Sequence, residues 1–134
     1  MSADSREGQA VSAKALALHH VSINVRDLDR ALRFYVDLLG LTQRTDRPHD
    51  LGIEGAWLDV GDRQLHLIVQ PDVPPALGQH FALLVDQLDI AVPALRSQGL
   101  TVSDPVQIGQ GRQSFMSDPD GNVVELHQAS RTRA

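Results

Sequence analysis

The chain repeats itself, and the repeat limits what it can fold into. Displaced by 60 positions, "HHVSINVRDLDRAL" lies over "QHFALLVDQLDIAV", so that His20 meets His80, Val25 meets Val85, Leu28 meets Leu88, Asp29 meets Asp89 and Ala31 meets Ala91. Each copy alternates apolar and polar residues, as a half-buried strand does, and then changes to helical spacing. Leu28, Ala31, Leu32, Tyr35 and Leu38 share one helix face, with Asp27 as candidate N-cap and Gly40 at the left-handed end. In the second copy Leu88, Ala91, Val92 and Leu95 do the same and Gly99 ends the helix. Pro93 is expected near the first turn, where a missing N–H costs least.

Hairpin signals follow each helix. "GAWLDVGDRQLHLIV" holds two apolar strands around Gly61-Asp62, and "RQSFMSDPDGNVVELHQ" holds two around "DPDG". The expected fold class is therefore α+β: two tandem βαβββ modules forming an open, cup-shaped mixed sheet with helices on its outer face. The first module spans 17–70 and the second 80–129, joined by a proline-bearing linker at 71–79. Residues 1–16 and 130–134 read as polar tails, and 17–129 act as one domain.

Composition excludes several functions. The 134 residues are 42% hydrophobic and carry a formal charge of −5 with scattered Lys and Arg, so there is no footprint for nucleic acid. No apolar run is long enough to span a membrane. The absence of cysteine removes disulfides and thiolate metal sites and is consistent with a cytoplasmic protein.

Chemistry enters through the strands. In "LHHVSINV", Val21, Ile23 and Val25 face a core, whereas the opposite face carries His20, Ser22 and Asn24 without any charge suited to water. Laying "GDRQLHL" over "DGNVVEL" places His66 opposite Glu125, each in the last strand of its module. His20 and His66 are 46 positions apart, His80 and Glu125 are 45. Facing modules would gather three imidazoles and a carboxylate, a donor set suited to Zn, Ni, Mn, Co or Fe rather than to Ca or Mg. Each histidine taken singly reads as an ordinary hydrogen-bonded or surface residue; the symmetry is what joins them.

Strand parity extends the site. Gln64 and Ile68 share the face of His66, Ala82 and Leu84 that of His80, and Val123 and His127 that of Glu125; Phe115 joins them if its strand keeps its alternation. His127 is either a partner of Glu125 or a solvated strand-end histidine, and Trp57 belongs to core or rim. In the charged loop "QRTDRPHDLGIEG", Arg44, Arg47 and His49 are candidates for an anionic substrate, against the default of solvated charge.

The motifs "HHVSINVRDLDRALRFYVDLLGL", "GAWLDVGDRQLHLIV", "HFALLVD" and "SDPDGNVVELHQ" resemble the vicinal oxygen chelate superfamily, which includes glyoxalase I, fosfomycin resistance proteins, bleomycin-binding proteins, methylmalonyl-CoA epimerases and extradiol dioxygenases. The resemblance implies metal ligands at His20, His66, His80 and Glu125, with Glu125 also a candidate general base. It implies a lyase or isomerase that acts on a small oxygenated metabolite or thiol adduct by bidentate chelation to a divalent ion. His66 stands where glyoxalase I enzymes usually carry glutamate. Phe115 stands where fosfomycin-modifying enzymes have tyrosine, and 101–112 offers no lysine. The alternative is a metal-free protein that sequesters an antibiotic or aromatic ligand, as bleomycin-binding relatives do; a thiol transferase or extradiol dioxygenase comes after it. Uncovered edges of an open cup point to a homodimer.

Overall fold

The computed structural model describes residues 11–130, so the parts of the expected tails at 1–10 and 131–134 lie outside the described residues. Residues 11–19 are exposed and form neither helix nor strand. The first half contains β1 (His20–Val25), α1 (Leu28–Leu32) running into a π-helical segment (Arg33–Leu38), β2 (Thr42–Gln43), β3 (Gly55–Val60) and β4 (Arg63–Val69). The second contains β5 (His80–Leu84), α2 (Leu88–Ser97), β6 (Val106–Ile108), β7 (Gly111–Ser117) and β8 (Val123–Gln128). Each half makes its own four-stranded sheet, β1-β4-β3-β2 and β5-β8-β7-β6. Order and sense match: β1 runs parallel to β4 and β5 to β8, and the remaining pairs are antiparallel. These are the two tandem modules of an α+β fold.

One face of each sheet packs against its helix. Val25, Ala56, Leu58, Leu65 and Leu67 are buried with Ala31, Phe34 and Tyr35, and Leu83, Met116, Val124 and Leu126 with Leu88, Val92 and Leu95. Both sets belong to one cluster. Each fully buried Leu contributes about 1.5–3 kcal/mol of apolar transfer. The alternation that buries one side of a strand turns its neighbours to the opposite face, and those neighbours include His20, His66, His80 and Trp57.

Local signals behave as chemistry requires. The Asp27 carboxylate accepts from the Arg30 N–H at 3.0 Å and caps α1. Gly40 and Gly99 take φ of +78° and +88° after their helices, where a side chain would be strained.

Two local expectations need correction. The first helix does not keep a 3.6-residue period to its end. Leu39 N–H donates to Phe34 O five residues back, and this wider turn brings Phe34 into the core and leaves Leu38 37% exposed. Pro93 is the sixth residue of α2, well past the first turn. Burial of Leu88, Val92 and Leu95 along that helix outweighs the one intrahelical bond that proline removes.

Polar contacts tie the halves together. Tyr35 Oη donates to Asp118 Oδ2 at 2.7 Å, and Asp120 Oδ1 receives Arg30 at 2.7 Å and Arg26 at 3.2 Å. Asn122 Nδ2 donates to Asn24 O at 2.9 Å. The "DPDG" turn is therefore a docking point for the first helix as well as a strand connection.

Candidate functional site

The first half-site grows from the register of three strands. His66 on β4 is opposite Ser22 on β1 and Trp57 on β3. His20 stacks on His66 with ring centroids 3.9 Å apart, and Trp57 stacks on its other side at 4.8 Å, each 13° from parallel. His66 Nε2 donates to Gln64 Oε1 at 2.8 Å, so a neutral ring keeps its lone pair on Nδ1. Burial, then the nearby His20, His19, Arg47 and Arg44, pushes the His66 pKa down to about 4. The ring is therefore neutral, as a ligand must be. His19 adds a Nδ1 contact to His20 Nδ1 at 2.9 Å.

The second half-site lies on β5, β7 and β8. His80 Nδ1 donates to the Gly78 carbonyl at 2.9 Å, which turns Nε2 toward Glu125 Oε1 at 3.1 Å. The Gly78 bond, followed by Glu125, raises the His80 pKa against the opposing effect of burial. His127 Nδ1 donates to the other oxygen of Glu125 at 3.0 Å, and Glu125 is only 8% exposed. Phe115, opposite Glu125 in the ladder, sets its ring edge-on to His80 at 5.3 Å.

Donor chemistry provides a test for a metal. With Nδ1 committed to a carbonyl, His80 Nε2 and Glu125 Oε1 are two lone-pair donors at close range, which need a proton or a cation between them. That pair fits a divalent ion, and His20 and His66 supply further donors of the right type. Among the described residues, no group of three or more His, Asp or Glu is arranged to hold one ion. The chain presents two pairs.

The other candidate residues are distributed unevenly. Ser22, Asn24 and Val123 line a cleft of about 570 Å³ between the β1 and β5 edges, together with His80 and the linker prolines Pro74 and Pro75. Gln64 is engaged by His66. Ile68 is half-buried opposite Gly55, and Ala82 is exposed in line with His80. Leu84 is 74% exposed beside Asp86, Ala129 and Ser130, away from the cleft. The stacking role of Trp57 and the docking role of Asp118 were not foreseen. Trp57 could have been found from its parity in β3, two residues from Gly55; nothing local marks Asp118 as the partner of Tyr35.

Comparison with known proteins agrees with this architecture. The profile of the Glyoxalase/Bleomycin resistance protein/Dioxygenase superfamily matches residues 17–126. The chain belongs to that superfamily. Among its relatives is a Vibrio parahaemolyticus protein named "Probable lactoylglutathione lyase", 27% identical over 86% of this chain and 92% of the relative. The crystal structure of TnmS3, an antibiotic binding protein from Streptomyces sp. CB03234, is 32% identical with a TM-score of 0.69, covering 88% of this chain and all of that one. A glyoxalase family protein from Enterococcus faecalis is 26% identical with a TM-score of 0.68, covering 83% and 96%.

Proposed function

We propose that this protein is a metal-dependent, glyoxalase-like lyase or isomerase acting on a small oxygenated metabolite or thiol adduct, with His20, His66, His80 and Glu125 as ligands. The observation that carries the reading is the His80–Glu125 pair: Gly78 fixes the imidazole tautomer and leaves Nε2 beside Oε1 at 3.1 Å. The two pairs belong to one site completed by a second copy of the chain, the first module of one protomer facing the second module of the other. The absence of cysteine suits a cytoplasmic setting.

A bound divalent ion would supply Lewis-acid polarisation of two adjacent substrate oxygens. The chain's own residues do the rest. With Oε1 off the ion, Glu125 would take the proton from the hydroxyl-bearing carbon next to the carbonyl and return it to the former carbonyl carbon, the hydroxyl proton passing to the carbonyl oxygen, while His127 holds Oε2 and fixes the carboxylate plane. Phe115 stands edge-to-face with His80 and limits where its ring can turn.

Elemental analysis of tag-free protein, before and after dialysis against a chelator, tests this. Near-stoichiometric Zn, Ni, Mn, Co or Fe is expected, lost in His80→Ala and Glu125→Ala with an unchanged circular dichroism spectrum. Failure to take up any of these ions on reconstitution would overturn it. A second reading is a metal-free sequestering protein. It is favoured by the aromatic stack of His20, His66 and Trp57 and by the likeness to an antibiotic binding protein. Tight binding of planar aromatics by protein that takes up no metal would establish that reading.

A further inference from the structure

The loop between β2 and β3 lines an open cavity of about 430 Å³ whose walls include Gln43, Arg44, Arg47, His49, Gly55 and Trp57. Its two arginines are in different states. Every guanidinium nitrogen of Arg44 is engaged by a carboxylate: Nε and Nη2 grip both oxygens of Asp46 at 2.9 and 2.7 Å, and Nη1 reaches Asp59 at 2.9 Å. Arg47 gives one bond, from Nη2 to the Ile53 carbonyl at 2.8 Å, and its buried Nε has no partner. Among the described residues no carboxylate is paired with it.

The placement of Arg47 is specific. Its guanidinium lies over the bare backbone of Gly55, where a Cβ would meet Nη2 at 3.0 Å and Cζ at 3.3 Å. Gly55 and Trp57 share one face of β3, and Trp57 stacks on His66. The guanidinium thus sits beside the face that carries the first half-site. A guanidinium without an acid partner, set beside an aromatic wall, is a receptor for an oxyanion, which it binds by paired, charge-assisted hydrogen bonds. The chain as a whole is acidic, so attraction for an anion here is local.

We propose that this cavity binds the oxyanion group, carboxylate or phosphoryl, of a small ligand through Arg47, with Trp57 as the wall between that group and His66. The proposal rests on the metal-site reading only in placing the rest of the ligand at the edge of His66. The oxyanion contact itself needs no metal.

Trp57 is the sole tryptophan, so tryptophan emission reports this cavity and the His66 ring stacked on its wall. Full-length, metal-free protein would be titrated with benzoate, with phenyl phosphate and with neutral benzamide. A saturable change with at least one anion is expected, with benzamide roughly tenfold weaker. Response to benzoate alone or to phenyl phosphate alone tells which oxyanion the cavity takes. Arg47→Gln should lose the preference for anions and Arg47→Lys keep part of it, with unchanged circular dichroism. Independently of any variant, raising salt should weaken anion binding and leave benzamide untouched. Equal binding of benzoate and benzamide, salt-insensitive anion binding, no response to either anion, or a folded Arg47→Gln that binds as wild type would overturn the proposal. His80→Ala separates the two readings: it removes metal and leaves the oxyanion response intact.

Discussion

Tyr35 and Asp118 are 83 positions apart in sequence and 2.7 Å apart in space, the phenol donating to Oδ2 in the buried seam between the halves. Burial, reinforced by Asp118, raises the Tyr35 pKa, so the phenol keeps the proton it donates. Asp118 Oδ1 also accepts the backbone N–H of Asp120 and Asn122, and Oδ2 the Asn122 amide, so one carboxylate orders the turn and docks the helix. Tyr35→Phe should cost about 2 kcal/mol, the range for a buried hydrogen bond to a charged group. Urea unfolding monitored by circular dichroism measures it; a variant as stable as wild type would show that the seam holds without this bond.

Gly55 leaves no room for a side chain. A Cβ there would run into the Leu67 carbonyl oxygen on the neighbouring strand and press on Arg47. Gly55→Ala should destabilise by about 1–3 kcal/mol, as overpacking does. It should also move Trp57 emission by disturbing Arg47. Unchanged stability and emission together would contradict this packing.

His66 sets a pH dependence for the metal-free fold. Its folded pKa, about 4, lies below the model-peptide value of 6.5, so between these values the unfolded chain binds more protons than the folded one. Its contribution to stability is full above about pH 6.5, declines as pH falls through the window and is lost below about pH 4. His66→Gln should flatten that slope in denaturant midpoints measured from pH 7 to pH 4. The same slope in the variant would assign it to other groups.

Two copies each lacking one half-site distinguish pairing across chains from pairing within one. His20→Ala/His66→Ala protein and His80→Ala/Glu125→Ala protein should each fail to bind metal. Mixed and refolded together, they should regain one complete site per heterodimer if the pairs meet across chains. No recovery in a mixture shown to form heterodimers would place the pairs within one chain.

The βαβββ order, both hairpins, the Asp27 cap and the pairing of His20 with His66 and of His80 with Glu125 were all legible, because each follows from a short-range period or from the repeat. Leu38 was misjudged because one wide helical turn shifts which residue meets the core, and the sequence does not mark where a helix widens. Pro93 was misplaced because burial of three apolar residues, a tertiary gain, overrode a local cost. The hairpin signal put Trp57 on the right strand without saying whether it would be core or rim. That depended on His66 and His20 offering their ring faces across two strand neighbours.

Sequence alone determined the modules and which side of each strand would be polar, since backbone periods of 2 and 3.6 act over a few residues and are printed in the chain. Tertiary structure decided which polar groups satisfy one another. It gave Tyr35 to Asp118, Gly78 to His80 and Gln64 to His66, and left Arg47 with an unpartnered nitrogen. Those outcomes depend on distances between segments remote in sequence, and a buried donor is satisfied only by the acceptor that packing brings within about 3 Å.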